Sequence, residues 1–296
     1  MLTIFSCPKA FQGTVGVAQR NAIQTWARIA PKPEIILLGD EEGTDEACQE
    51  SGIRHIPSLK KNEFGTPLVN SLFKEAEKAA TREVLCYLNA DILLLGDFMK
   101  AVKTVHDVMP RSLMVGRRWN LHVSGSIEFE EGWEQALLRQ VARSGKLVPH
   151  FFIDYFVFPK GSLGEILPFA IGRPGWDNWI IYRARSLHLP VVDLTRAVTV
   201  VHQNHDYSHH PEGWKGAMKG EESKRNIELA GEIAHVHSLL DADYHLTAGG
   251  LKRKNPPYHV PFYLYRTLVI LSASHPTLKP IVHFIKRIGD LVSSPP

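Results

Sequence analysis

The feature that most constrains the fold is an alternation between two hydrophobic periods in the first 120 residues. "TIFSC" and "EIILLG" (34 to 39) are short apolar runs, closed by turn-forming residues as buried parallel strands are. Between them Val15, Ala18, Ala22, Trp26 and Ile29 recur three or four apart, which is one apolar helix face. Strand, helix and strand make a βαβ unit. The pattern continues with a short helix over Asp45 to Ser51 and an extended "IRHIP". Thr66 then reads as an N-cap, with Pro67 at the first helical position of a helix turning Val69, Leu72, Phe73 and Ala76 inward. "EVLCYLNADILLL" is a strand that stops at Asn89, Gly96-Asp97 opens a further helix, and "LMVGRRW" (113 to 119) is another strand. Such alternation predicts an open α/β sheet with helices on both faces.

Beyond Trp119 the regularity weakens. A polar loop leads to an amphipathic helix, and "FFIDYFVF" (151 to 158) reads as a very apolar strand carrying Asp154. "GRPGWDNWIIYRARS" is a Gly/Pro turn opening a helix, and "VVDLTRAVTVVHQNHDYSHH" is a strand ending in histidines. We divide the chain into a catalytic-type domain over 1–210, with halves of about 1–119 and 120–210, and an extension over 211–296. The extension begins as a polar flap, helical around 221 to 240, and ends basic and apolar.

Charge and cysteine usage narrow the classes. The net charge is +3 over 296 residues, which argues against a strongly basic nucleic-acid binder. From Leu251 onward seven Lys or Arg face one Asp, so a basic end sits on a mildly acidic body. Cys7, Cys48 and Cys86 form no CxxC pair, which suits a reducing compartment. No signal peptide is visible at the start. The apolar stretch from Val260 to Ser274 is broken by Pro261 and Arg266, short of the roughly 20 residues a spanning helix needs. A cytoplasmic protein, soluble or peripheral at a membrane, is expected. The "YHVPFYLYRTLVIL" segment with its basic flanks has two readings, a helix docked on the body or one lying on an anionic membrane surface.

The familiar nucleotide motifs are missing. There is no GxxxxGK[ST] loop, "GTVGVA" (13 to 18) does not make GxGxxG, and no GxSxG elbow occurs, so Walker ATPases, nicotinamide dehydrogenases and serine hydrolases lose their main signals. The polar tripeptide Asn89-Ala90-Asp91 stands instead at the carboxyl end of a buried strand, where open α/β sheets bind ligands. A carboxylate there either caps a turn or holds Mg²⁺ or Mn²⁺ together with phosphate oxygens.

The order "TIFSCPKAF", "IILLGDEEG", "TPLVNSLFKEA", "EVLCYLNADILLLGDF" resembles the donor half of GT-A-type glycosyltransferases, and the resemblance extends over roughly residues 3 to 205. It implies a mixed, mostly parallel, Rossmann-like sheet with helices on both faces, plus a helical C-terminal extension. It implies a nucleoside diphosphate sugar as donor, a hydroxyl acceptor (a glycan, a lipid-linked molecule or a small molecule) and Mn²⁺ or Mg²⁺ as cofactor. Asn89 stands where the DxD-type motif has its first Asp, and Asp91 matches the second, on the metal. Asp40 matches the acid that contacts the base, and Asn70 a donor contact at a helix start. "GWDNW" resembles the segment that faces the acceptor, with Asp177 as general base or, structurally, as a helix cap, and Trp176 and Trp179 as stacking faces for a sugar. His202, after "VTVV", matches a histidine that completes the metal site. The later His205, His209 and His210 read as solvated loop residues. Asp154 is costly if buried unpaired, so it either pairs with Arg117 or Arg118 or touches the donor sugar. The alternatives are a non-catalytic nucleotide- or membrane-binding module and a nucleotidyltransferase.

Overall fold

A computed structural model describes residues 1–204, 219–231, 235–254, 267–272 and 275–284. His205, His209, His210, most of the aromatic stretch from Tyr258 and the Lys286-Arg287 pair lie outside these residues. The chain runs β1 (Leu2–Ser6), α1 (Gly13–Arg28), β2 (Glu34–Leu38), α2 (Thr44–Ser51), β3 (Arg54–Ile56), α3 (Val69–Ala79) and β4 (Val84–Leu88). It continues through β5 (Ile92–Leu93), α4 (Gly96–Val108), β6 (Leu113–Val115), β7 (Trp119–Leu121), α5 (Trp133–Ser144), β8 (Lys146–Leu147) and β9 (Tyr155–Pro159). The remainder is α6 (Trp176–Ser186), β10 (Val191–Asp193), β11 (Val201–Gln203), α7 (Glu221–Ala230), β12 (Tyr244–Thr247) and β13 (Gly250–Arg253).

The main sheet has nine strands in the order β13-β12-β10-β6-β9-β4-β1-β2-β3. Its pairings are parallel except those of β9 with β4 and β6, and of β12 with β13. The strands are apolar on both sides, because helices cover both faces. Ile4, Ile35, Leu37, Cys86 and Leu88 point into one core with Trp26 of α1 and Phe98 of α4. Phe5, Ile36, Leu38, Leu85 and Tyr87 point into the other with Phe73 of α3 and Ile180 of α6. This is the expected mixed, mostly parallel α/β fold.

Several local expectations are revised. Helix α3 begins at Val69 rather than at Pro67, because the Asn62 carboxamide accepts the backbone N–H groups of Phe64 and Thr66 and closes a loop outside the helix. "LMVGRRW" divides into β6 and β7, which belong to different sheets. The bend falls at Gly116, where a Cβ would stand 2.1 Å from the Tyr155 hydroxyl. Only the second half of "FFIDYFVF" is strand, since Phe151 to Asp154 form the loop entering β9. Beyond 211, residues 244–253 fold as a hairpin that extends the main sheet through β10, rather than as part of a separate flap. Val269 and Val282 are buried in the second core, so the described part of the C-terminal segment docks on the body. Among the described residues no helix is long and apolar enough to cross a membrane.

Candidate functional site

A cleft of about 670 Å³ opens at the carboxyl ends of β1 and β4, the place where sheets of this kind bind ligands. Strand β9 runs antiparallel to β4, so its entry loop lies at the same end and closes the cleft on that side. Asn89, Asp91, Asp154, Trp176, Asp177 and His202 all line this space. Asp40, Asn70 and Trp179 are not among its lining residues. Asp40 is exposed and ion-paired with Lys61 at 2.6 Å, which holds its carboxyl below the usual range, and its neighbour Glu41 lines the cleft. Asn70 accepts a hydrogen bond from the Ser71 N–H in the first turn of α3. Trp179 is buried against Phe169, with ring centres 5.2 Å apart.

Asn89 is held from both sides. Tyr87 Oη donates to its Oδ1 at 2.7 Å, and its Nδ2 donates to Asp154 Oδ1 at 2.7 Å. The Asn89 N–H also donates to the Asp154 carbonyl. Arg118 pairs with the Asp154 carboxylate, which resolves the choice between Arg117 and Arg118 and satisfies a charge that burial alone would make costly. This chain of bonds ties the end of β4 to the loop entering β9.

Asp91 and His202 meet through the small sheet β5-β11-β7-β8. The antiparallel ladder sets His202 opposite Ile92, the residue after Asp91, and leaves His202 Nε2 3.4 Å from Asp91 Oδ2. Gln203, unremarked in the sequence, supports both. Its buried amide donates to the carbonyls of Asp91 at 3.0 Å and Ala18 at 2.7 Å and accepts from Asn21 Nδ2. Nothing in a local pattern marks a glutamine for that task. The pair of an anionic oxygen and an imidazole nitrogen fits a hard or borderline divalent cation. No group of three or more acidic, His or Cys side chains is placed to bind a metal among the described residues, so further ligands would come from a substrate's oxygens and water.

Asp177 stands in the first turn of α6. The helix is capped by Gly175 at φ 103°, where a Cβ would also meet Ile227 Cδ1 at 2.9 Å. Only glycine suits both demands. Asp177 Oδ1 accepts the Asn178 N–H at 2.9 Å from within the first turn; the N-cap position belongs to Gly175 and no side chain caps the helix, so Asp177 is not the cap, and it borders the cleft. Burial pushes its pKa up to about 7, with Asp154 adding to the rise and backbone N–H groups opposing it. A carboxylate with such a value accepts and releases protons near neutrality. Trp176 lines the cleft but is 95% buried among Phe73, Tyr87 and Phe156.

Two cations were missed by the sequence reading. Lys9 follows β1, and its backbone is clamped by Gln19, which accepts the Lys9 N–H at 2.7 Å and donates to its carbonyl at 2.8 Å. The close approach of α1 to this loop needs Gly16, where a Cβ would lie 2.5 Å from the Phe11 carbonyl. Burial lowers the Lys9 pKa, Asp91 opposes that, and Arg173 reinforces it, so the three charges share one region of the cleft. Arg173 is fixed by Glu222 of α7 through bonds of 2.9 and 2.6 Å. Glu222 in turn accepts from Asn62. Also missed were Phe151 and Phe152, read as strand core, which line the cleft with 47% and 39% of their surface exposed.

No protein-family model and no curated protein matches the sequence. Solved structures do. The chain is similar to TarS of S. aureus at 14% identity and a TM-score of 0.50, with 90% of this chain and 43% of that chain covered. It is similar to residues 1–349 of TarS in complex with UDP-GlcNAc at 12% identity and a TM-score of 0.50, with 97% and 88% covered. The chain thus spans less than half of the longer TarS chain and most of its first 349 residues. TarS is a GT-A-type glycosyltransferase, and at this identity the likeness speaks for architecture: the chain has the fold of the GT-A-type glycosyltransferases.

Proposed function

We propose that this protein is a glycosyltransferase that moves a sugar from a nucleoside diphosphate sugar to a hydroxyl acceptor, with Asp177 as general base. The observation that carries this reading is the meeting of Asp91, His202 and Asp177, from three distant parts of the chain, around one cleft at the carboxyl ends of the central strands. The complex of the similar TarS with UDP-GlcNAc supports the donor class.

Ionised Asp177 takes the proton of the acceptor hydroxyl. The freed oxygen attacks the anomeric carbon from the face opposite the diphosphate, the bond from that carbon to the phosphate oxygen breaks, and the electron pair leaves with the nucleoside diphosphate. Configuration inverts. Asp91 and His202 would hold Mn²⁺ or Mg²⁺, whose charge favours departure of the diphosphate. Lys9 and Arg173 add fixed positive charge on the same leaving group, in a partly dehydrated site where such charges act strongly. Glu222 keeps Arg173 from swinging away.

The reading is tested by thermal melts with UDP, GDP and ADP, with and without Mn²⁺, followed by product analysis with the matching nucleotide sugars. A ligand at 100 times its Kd stabilises the native state by about 2.7 kcal/mol. Release of a free nucleoside diphosphate together with a new glycoside supports the proposal. A product that carries the nucleotide would make the protein a nucleotidyltransferase, and no stabilisation by any nucleotide would remove the enzyme reading.

A further inference from the structure

Phe151 and Phe152 have no part in the scheme above. Large aromatic side chains this exposed, side by side on the wall of a cleft, mark a binding surface more often than chance exposure does. Their rings lie 4.7 Å apart and tilted by 39°. The loop that carries them is held firmly. The Phe151 carbonyl accepts from Asn178 Nδ2 at 3.2 Å, the Phe152 N–H donates to the Pro149 carbonyl at 3.2 Å, and the His150 carbonyl accepts from the Leu239 N–H. Arg118 lies over the Phe152 ring at 5.5 Å while paired to Asp154, and the His150 ring meets Phe151 edge-on.

The sheet order gives the pair its place. Across the cleft the strands run β2, β1, β4, β9. Glu41 follows β2 and Lys9 follows β1, Asp91 follows β4, and Phe151-Phe152 precede β9. The two phenylalanines therefore lie on the far side of Asp91 from the β1 and β2 loops. Phe151 is bonded through its carbonyl to Asn178, the residue next to Asp177. An occupant of this surface reaches the proposed base without crossing the site of the diphosphate.

We propose that Phe151 and Phe152 form a stacking platform for the pyranose ring of a saccharide acceptor, holding it so that one hydroxyl reaches Asp177. The chemistry is complementary. One face of a pyranose is a patch of C–H groups that packs on an aromatic ring, while its hydroxyls stay available to polar neighbours, here Arg118 and Asp177 on the cleft wall. Two tilted rings offer a shallow angled seat for one ring or for two linked ones. This proposal rests on the glycosyl-transfer reading and narrows its acceptor to carbohydrate.

The test compares the wild type with the Phe151→Leu/Phe152→Leu and Phe151→Tyr/Phe152→Tyr double variants. Leucine keeps apolar bulk but loses the flat face, and tyrosine keeps it. Binding of a panel of methyl pyranosides, disaccharides and n-octyl glucoside is followed by ligand-observed NMR, with and without UDP or GDP and Mn²⁺. The nucleotide-induced shift in melting temperature is measured on the same samples. The expected result is that at least one saccharide binds the wild type, that its affinity falls about tenfold or more in the leucine variant, and that it is kept in the tyrosine variant. The nucleotide shift stays in all three. Equal saccharide binding in the leucine variant, or none by the wild type, overturns the proposal. So does a response confined to the octyl chain, or a parallel loss of the nucleotide shift, which would make the platform a seat for the base. Failure of the transfer reading looks different: no nucleotide shifts the melt of any form, while saccharide binding without nucleotide still reports on the platform.

Discussion

His202 Nε2 lies 3.4 Å from Asp91 Oδ2 because the β5–β11 ladder sets His202 across from Ile92. Two side chains 111 residues apart in the sequence are thereby brought together by backbone hydrogen bonds of the small sheet. If both hold one cation, replacing either weakens it. Asp91→Ala and His202→Ala should each lower the affinity for Mn²⁺ in the presence of UDP or GDP by about tenfold or more. Titration calorimetry checks this, and unchanged affinity in both variants would place the cation elsewhere.

Asp177 gives a pH dependence with two opposite signs. Its pKa rises from an ordinary 3.8 to about 7 on folding, mainly by burial. Between these values the folded chain holds a proton that the unfolded chain has released, so this group's stabilising contribution is present at low pH and is lost as pH rises toward 7. The slope is at most about 1.4 kcal/mol per pH unit. Activity runs the other way, because the base must be ionised, and should climb through pH about 7. Asp177→Asn should flatten the stability slope and raise the melting temperature at pH 8 relative to wild type. It should also cut turnover by about 10²- to 10⁴-fold. Melts and rate profiles across pH 4 to 9 read both.

Arg118 and Asp154 are a buried pair, 13% and 5% exposed at their side chains. Removing one partner leaves an uncompensated charge. Arg118→Leu alone should destabilise the protein by about 3–5 kcal/mol, and the Arg118→Leu/Asp154→Leu double variant by clearly less. Urea unfolding of the three forms measures the difference.

How far such pairings can be read from one sequence depends on whether they are local. The β1-α1-β2 unit and the end of β4 at Asn89 were legible, because periods of 2 and 3.6 are written in neighbouring residues. The small sheet was not, since its strands are two or three residues long and pair across large stretches of chain. Asp177 and His202 reached the cleft-lining set through motif resemblance, whereas Asp40, Asn70 and Trp179, taken from the same resemblance, lie off its lining. Phe151 and Phe152 were hidden for a different reason. Hydropathy makes two phenylalanines before a strand look like core, and only the antiparallel course of β9 turns that end of the segment toward the cleft. Lys9 and Arg173 carry no sequence signal, because their common position depends on Gln19, Glu222 and the turn at Gly175.

That turn supplies a prediction about positioning. Gly175→Ala places a Cβ at φ 103° and 2.9 Å from Ile227 Cδ1, which should cost about 1–3 kcal/mol of stability and displace Asp177. Turnover should fall while the nucleotide-induced melt shift persists. Trimming the neighbour with Ile227→Ala should not restore activity, since the backbone strain remains. Steady-state rates and melts on the single and double variants decide.

Transfer from a nucleotide sugar at this cleft is measured most directly by nucleotide release. With Mn²⁺ and a panel of UDP-, GDP- and ADP-sugars, supplied with mixed saccharide acceptors, the wild type should release nucleoside diphosphate from at least one donor. Asp91→Ala and Asp177→Asn should release it at least about 10²-fold more slowly. Release by neither wild type nor variants from any donor, or equal release by all three, would contradict the account.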